Sequence, residues 1–262
     1  MDSMSQWTLR FLNYEPVDEA LDDRMRRIAE DADKIPDAAM TLDRETGVLT
    51  IDCAKVPAWC DSAQRRLRSM RIGRSFVVKP PWVQESIAPH ERLLEIDPAG
   101  AFGSALHETT QLCLLAIERS ALAGSRVLEI GAGSGVLSIA AARCGAARVR
   151  AVDIDLVAVR SARANVLRNG LNGVVEVLEA NGPPWIEGQV DAIIANITYD
   201  VLTRLWVDVA LALRPGGLLI ASGISARNWE AFVLASSAHG FDEKDQLHRG
   251  PWSALIAKRR MQ

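Results

Sequence analysis

Apolar residues follow two different periods along the chain, and the pattern changes near residue 90. From about residue 105 onward, short apolar runs alternate with segments whose apolar residues recur every three or four positions. The runs predict strands at 126–130, 148–153, 174–178, 190–195, 218–222 and 253–258, and the spaced segments predict helices at 107–120, 136–144, 156–169, 201–213 and 228–239. Because strands that alternate with helices pair in parallel, we expect an α/β fold with a doubly wound, mostly parallel sheet.

The first 55 residues carry shorter elements. A strand is predicted at 7–12, and two further strands at 41–43 and 48–51 flank Gly47 as a hairpin. Pro16 stands where the first turn of a helix tolerates proline, and apolar residues follow it at helical spacing, namely Val17, Leu21, Met25 and Ile28. We therefore predict three parts: a small α+β domain at 1–55, a linker helix and strand at 56–95, and a large α/β domain at 96–262.

The predicted linker carries a cluster of arginines. Apolar residues form one helical stripe, consisting of Trp59, Ala63, Leu67 and Met70, and a short strand follows at 76–78. The arginines lie on the opposite face or just beyond the helix, at Arg65, Arg66, Arg68, Arg71 and Arg74. Two interpretations stay open, a solvated helix face and a docking patch for RNA or an acidic protein.

Composition narrows the class of protein. The chain has 262 residues, of which 48% are hydrophobic and 24% charged, with a formal net charge of −3. This balance is typical of globular proteins and provides no general attraction for DNA or anionic membranes. We find no membrane span and no export signal, and the four cysteines lack C-x-x-C spacing. We therefore predict a cytoplasmic protein with reduced cysteines.

The turn after the first predicted strand of the large domain is rich in glycine. It reads G-x-G-x-G, with Gly131, Gly133 and Gly135, and Val136 stands where a dinucleotide-binding loop has its last glycine. Glu129 precedes the loop, and its carboxylate would repel a pyrophosphate. It would instead favour a positively charged amino group, held indirectly. The loop therefore favours S-adenosylmethionine over a nicotinamide or flavin cofactor, and over a turn that binds nothing.

Polar residues follow the next strands. Asp153 ends the second strand about 20 residues after the loop, where a carboxylate accepts hydrogen bonds from ribose hydroxyls, and Asp155 is placed to cap the following helix. After the fourth strand, Asn196 and Tyr199 match the ends of the N-P-P-Y motif of many enzymes that methylate nitrogen, with Ile197 and Thr198 in place of the prolines. An amide oxygen in this position accepts hydrogens from an amine and orients its lone pair, so Asn196 is the candidate catalytic residue. A turn former is the alternative.

His107 and Glu108 invite comparison with the zinc motif H-E-x-x-H. The second histidine of that motif would stand at Gln111. We therefore predict no metal site.

Six motifs occur in a fixed order, namely DPAGAFGSALHETT, GAGSG, DID, NITY, RPGG and SGI. In this order and spacing, from about Arg71 to the end, the chain resembles the bacterial ribosomal protein L11 methyltransferase (PrmA) family. That family carries D-P-G-x-A-F-G-T-G-x-H-x-T-T before its donor-binding fold. The resemblance implies a seven-stranded class I (Rossmann-like) methyltransferase sheet, S-adenosylmethionine as methyl donor, and a small N-terminal domain that recognises the protein substrate.

The resemblance also assigns roles. It implies that Thr110, Gly131, Asp153 and Asn196 contact the donor and that Phe102 and His107 line the donor or substrate side of the pocket. The glycine loop adds Gly133 and Glu129 to the predicted donor contacts, and the turn after the fourth strand adds Tyr199 to the predicted substrate pocket. The implied activity is methylation of lysine and N-terminal amines of ribosomal protein L11. The sequence departs from the family at Ser104-Ala105-Leu106 and at Tyr199. Three alternatives therefore stay open: a methyltransferase for another protein lysine, as in electron-transfer flavoprotein β, one for a small-molecule amine, and a donor-binding protein without catalysis.

Overall fold

A computed structural model of the chain describes residues 6–10, 40–43, 48–52, 55, 68–97, 107–183 and 190–261. The chain divides into two compact units, Met1–Arg68 with Pro98–Phe102 and Ser69–Asp97 with Gly103–Gln262. The helix predicted after Pro16, most of the predicted linker helix and the segment 98–106 lie outside the described residues.

The smaller unit contains a three-stranded antiparallel sheet. Its strands are β1 (Gln6–Arg10), β2 (Met40–Asp43) and β3 (Val48–Asp52), in the order β1-β3-β2. Strands β2 and β3 pair as a hairpin with Thr41 opposite Thr50. The predicted hairpin and first strand are thus confirmed.

The larger unit begins with a second small sheet. It consists of β4 (Met70–Ile72), β5 (Phe76–Lys79) and β6 (Arg92–Glu95), with β5 in the centre. The prediction of one strand in this region was wrong in number, and Met70 lies in a strand, although its spacing had suggested a helix. Strands of three or four residues are too short to show a period, and their pairing with β5 is what forms them.

A seven-stranded sheet forms the centre of the larger unit. Its strands are β7 (Arg126–Ile130), β8 (Arg148–Asp153), β9 (Val175–Glu179), β10 (Val190–Asn196), β11 (Leu213–Ser225), β12 (Phe241–Arg249) and β13 (Trp252–Arg259). Their order is β12-β13-β11-β10-β7-β8-β9. Strands β7 to β11 pair in parallel, while β13 runs antiparallel to both β11 and β12. The doubly wound, mostly parallel sheet is confirmed.

Helices connect these strands. They are α1 (Glu108–Glu118), α2 (Val136–Arg143), α3 (Leu156–Arg168), α4 (Tyr199–Arg204), α5 (Trp206–Ala212) and α6 (Trp229–Ala238). The single helix predicted at 201–213 is wrong, because Leu205 leaves helical geometry (φ −99°, ψ 1°) and separates α4 from α5. A break at one residue hardly disturbs the apolar spacing, so periodicity does not reveal it. None of the helices within the described ranges is long and apolar enough to span a bilayer.

Two differences concern the end of the sheet. The Pro-Gly-Gly turn predicted to stop a helix lies inside β11, which begins at Leu213. Strand β12 was missed altogether. Most of its residues are exposed and many are charged, so it lacks apolar alternation. Its ladder with β13 forms it, and charge is usual on the edge strand of a sheet.

The core lies on both faces of the central sheet. One apolar cluster joins the sheet to α1, α2 and α3 and to β4–β6, and a second joins it to α4, α5 and α6. Successive strand residues alternate between them: Ala192 and Ile194 of β10 belong to the first cluster, and Ile193 and Ala195 to the second. This alternation puts Asn196, the last residue of β10, on the face covered by α1.

Candidate active site

The candidate site lies at the carboxyl ends of β7, β8 and β10. Strands β7 and β10 are neighbours in the sheet although two strands separate them in sequence, so the chain winds away from them in opposite directions. In open α/β sheets, such a reversal of strand order leaves a crevice that binds ligands.

The glycine loop follows β7 directly. Gly131, Gly133 and Gly135 have positive φ angles of 79°, 53° and 79°. These values lie in the left-handed region that favours glycine. A Cβ at Gly131 would lie 2.5 Å from Cγ2 of Ile197, so the turn after β10 packs directly against the loop. The backbone therefore requires glycine at Gly131 on two grounds, conformation and space.

Asp153 links the loop to β8. The N–H groups of Gly133 and Asp155 donate to separate oxygens of its carboxylate, each at 2.9 Å. Each oxygen keeps a further lone pair, so the carboxylate can still accept hydrogen bonds from two ribose hydroxyls. Asp155 has the other role predicted for it, since it caps α3 by accepting the N–H of Val157 at 2.8 Å.

Glu129 is buried beneath the loop, with a relative exposure of 1%. The Ser138 hydroxyl at the start of α2 donates to its carboxylate. Burial raises the pKa of Glu129 to about 8, the nearby negative charge of Asp153 also raises it, and the hydrogen bonds from Ser138 lower it. At neutral pH the side chain is therefore largely protonated, and a cationic group bound beside it would lower that pKa.

Asn196 and Thr110 meet across 86 residues of sequence. The Nδ2 of Asn196 donates to Oγ1 of Thr110 on α1, at 3.3 Å. The Oδ1 of Asn196 is buried and accepts no hydrogen bond from any described residue. Since buried polar atoms are nearly always paired, this oxygen is an acceptor available to a ligand. The Thr110 hydroxyl thus pairs with the nitrogen end of the amide and leaves the oxygen end without a partner among the described residues.

Similarity to known proteins agrees with this geometry. The sequence profile of the family described as Ribosomal protein L11 methyltransferase (PrmA) matches residues 15–260. The chain belongs to this family.

Individual relatives carry the same family name. A ribosomal protein L11 methyltransferase of Pelotomaculum thermopropionicum is 42% identical over 200 residues, which span 76% of this chain and 65% of that protein. One from Bacillus cytotoxicus is 35% identical over 246 residues, spanning 94% of this chain and 78% of that protein. The crystal structure of a ribosomal protein L11 methylase from Lactobacillus delbrueckii subsp. bulgaricus superposes with a TM-score of 0.68 at 29% identity, over 74% of this chain and 100% of that chain.

The PrmA family uses S-adenosylmethionine, and the residues present fit it. Both carboxylate oxygens of Asp153 can accept further hydrogen bonds, Gly131 and Gly133 present no side chain to a ligand, and the buried Oδ1 of Asn196 has no partner among the residues that the structure describes. The individual donor and substrate contacts carried over from the PrmA motifs stay predictions.

The predicted substrate-pocket residues have different surroundings. His107 caps α1, where its Nδ1 accepts the N–H of Thr109 at 3.3 Å, and its ring meets that of Trp252 edge-on at 5.2 Å. The Tyr199 ring packs edge-on against Phe232 of α6, at 6.5 Å, on the face opposite α1. Phe102 and the Ser104–Leu106 departure from the PrmA motif lie outside the described residues.

Sequence reasoning missed Trp252. It begins β13, and because β13 runs antiparallel to β11 its first residue reaches the carboxyl edge of the parallel strands, opposite Ser225. Without the direction of β13, the sequence did not indicate that Trp252 lies at the candidate site.

Proposed function

We propose that this chain is an S-adenosylmethionine-dependent protein N-methyltransferase whose substrate is ribosomal protein L11. The observation that carries the proposal is the buried Oδ1 of Asn196 at the carboxyl end of β10, which no described residue satisfies. An amine nucleophile carries N–H groups that can donate to this oxygen, and the relatives from Pelotomaculum thermopropionicum and Bacillus cytotoxicus are named ribosomal protein L11 methyltransferases. A ribosomal substrate makes the cytoplasm the expected compartment.

When bound, S-adenosylmethionine supplies a methyl group on a positively charged sulfur. The chain's own contribution is to position the amine, which must lie in line at about 3–3.5 Å from the carbon. Asn196 accepts one amine hydrogen and so aims the lone pair, while the hydrogen bond to Thr110 restrains the amide.

The attacking nitrogen must also be neutral. A free lysine has a pKa of about 10.4, and removal from water lowers it. Thr109 and Thr110 of α1 and Ser222 of β11 are uncharged and fully buried. We therefore expect desolvation and alignment to account for most of the rate, without a strong general base.

The domain assignment belongs to the same proposal. Residues 1–55 would recognise the protein substrate, and residues 56–95 would link them to the large domain. Residues 96–262 would bind the donor and transfer its methyl group. For the arginines near residues 65–74, a solvated helix face and a docking patch for RNA or an acidic protein both stay open. Arg71 is the exception, because it forms ion pairs with Glu85 (3.1 Å) and Glu91 (2.7 Å).

Labelled donor tests the proposal. The purified protein is incubated with methyl-labelled S-adenosylmethionine and either purified ribosomal protein L11 or a ribosome-depleted lysate. Label on L11 supports the proposal. Label only on another protein or on a small molecule would refute the substrate, and donor binding without transfer would refute catalysis.

Asn196→Ala tests the role of the amide. We expect turnover to fall by about 100-fold, because a misaligned nucleophile loses that much, while donor affinity changes by less than about threefold. Thr110→Val is the matched variant: it removes the hydroxyl that orients the amide and should lower turnover by a smaller factor. Unchanged turnover in Asn196→Ala would contradict this account.

A further inference from the structure

Two asparagines on α3 have the same relationship to the end of β6. Asn165 and Asn169 are one helical turn apart, and both are buried. The Oδ1 of Asn169 accepts the N–H of Glu95 at 3.1 Å while its Nδ2 donates to the Glu95 carbonyl at 2.7 Å. Asn165 pairs with Asp97 in the same way, at 2.9 and 3.3 Å. Each side-chain amide thus makes the two backbone hydrogen bonds that a neighbouring strand would otherwise make with the end of β6 and the residues after it.

Asn165 makes one bond that Asn169 does not. Its Nδ2 also donates to the carbonyl oxygen of Ser134, at 3.0 Å, inside the glycine loop. Asn169 directs its remaining donor to the carbonyl of Asn165, within the same helix. Of the two side chains, Asn165 is therefore the one that joins α3 to the loop.

The Ser134–Gly135 peptide is held at both ends. Its carbonyl accepts from Asn165, and its N–H, that of Gly135, donates to the Ala132 carbonyl at 2.8 Å. A Cβ at Gly135 would lie 3.2 Å from Cβ of Ala162, so α3 also packs closely beneath this peptide. Packing limits the distance between helix and loop, whereas a hydrogen bond also determines the direction of the carbonyl.

The direction of the Ser134 carbonyl matters because the backbone of the glycine loop could adopt several conformations. Three of its five residues are glycines with positive φ, and glycine tolerates several other backbone conformations at little cost. Rotation of the Ser134–Gly135 peptide changes the backbone angles of Ser134 and of Gly135, and so redirects the chain where it enters α2.

We propose that Asn165 is a positioning residue for the methyl donor, which fixes the orientation of the Ser134–Gly135 peptide and so preorganises the glycine loop. The proposal rests on donor binding by this loop, which is part of the proposed function. It does not depend on the identity of the methylated protein. Asn165 acts through Ser134 and needs no contact with the reacting atoms.

Asn169 provides a matched control. Asn165→Ala and Asn169→Ala each remove a pair of hydrogen bonds between the same face of α3 and the backbone at or just after the end of β6, and only the first also releases Ser134. Asn165→Asp is a third variant: it keeps the acceptor for the Asp97 N–H, is close in shape, and loses both donated bonds. The donor dissociation constant is measured calorimetrically with S-adenosylmethionine alone.

We expect Asn165→Ala to weaken donor binding about tenfold, the effect of one hydrogen bond of typical net strength, and Asn169→Ala to change it by less than about twofold. With L11 as substrate, the KM for the donor should rise in Asn165→Ala while kcat at saturating donor and the KM for L11 stay within about twofold. A purely structural role would instead lower the apparent kcat in proportion to the folded fraction and leave both KM values unchanged.

Hydrogen exchange gives a second measurement when either variant is destabilised. Without donor, the amide of Gly135 should exchange faster in Asn165→Ala and Asn165→Asp than in Asn169→Ala, and saturating donor should reduce the difference. Equal donor affinity in Asn165→Ala and Asn169→Ala would overturn the proposal, as would equal exchange at Gly135. Failure of L11 to accept label while Asn165→Ala still weakens donor binding would refute the substrate and leave this inference standing.

Discussion

Gly223 packs against Ile197, the residue that follows Asn196. An alanine at Gly223 therefore tests whether a shift of the backbone after Asn196 impairs methyl transfer. Gly223 has φ +90° and lies at the irregularity of β11 between Ser222 and Ile224. An added Cβ would lie 2.2 Å from the carbonyl oxygen of Ile197 and 2.8 Å from its carbonyl carbon. These are backbone atoms, so the clash is relieved only by moving the chain beside Asn196.

The size of the effect follows from two contributions. The left-handed backbone costs any alanine about 1–2 kcal/mol, and overpacking adds about 1–3 kcal/mol. Gly240 is the matched position, because it has φ +86° and nothing within 4 Å of an added Cβ. We therefore expect Gly223→Ala to lower the free energy of unfolding by about 2–5 kcal/mol and Gly240→Ala by about 1–2 kcal/mol.

We also expect Gly223→Ala to lose much more turnover than Gly240→Ala. A shift of the Ile197 peptide misplaces Asn196, and a displacement of about 1 Å costs about 100-fold in turnover. Denaturant unfolding of both variants gives the stability difference, and methyl transfer at saturating donor, corrected for the folded fraction, gives the turnover. Equal stability losses, or full turnover in Gly223→Ala, would refute the reasoning.

Asp153→Ala should weaken S-adenosylmethionine binding by about 1–3 kcal/mol in a calorimetric titration, through lost hydrogen bonds. Asp155→Ala should instead remove the cap of α3 and lower the free energy of unfolding by about 1 kcal/mol with donor affinity unchanged, so equal donor losses would contradict this division of roles. Glu129 has a folded pKa of about 8 against an ordinary 4.5, so the folded state holds more protons between those pH values. Its stabilising contribution is therefore fully present below about pH 4.5 and declines toward pH 8, by at most about 1.4 kcal/mol per pH unit. Glu129→Gln should lack this slope in unfolding experiments across that range, and parallel pH profiles would show the pKa assignment to be wrong.

Local pattern predicted a large part of this protein. The alternation of apolar runs and helical spacing indicated the parallel strands β7 to β11, because each buried strand or amphipathic helix shows its period within its own segment. The glycine turn, the position of Asp153 at the end of β8 and the Asp155 cap were also evident, since each depends on a residue's place at the end of one strand or the start of one helix.

Several features escaped that reasoning because they depend on contacts between distant segments. Strand β12 has almost no apolar alternation and forms through its pairing with β13. Trp252 reaches His107 only because β13 runs antiparallel, and the sequence of a strand does not state its direction. The break at Leu205 preserves apolar spacing while changing the backbone.

The sequence by itself therefore determined the class of fold, the glycine loop and the family. The tertiary structure decided how the site is assembled: that Thr110 holds one end of the Asn196 amide and leaves the other unpaired, that burial raises the pKa of Glu129, and that Asn165 reaches the loop. The physical reason is that periodicity reports which face of an element is buried, whereas hydrogen-bond partners and pKa values depend on which other elements cover that face.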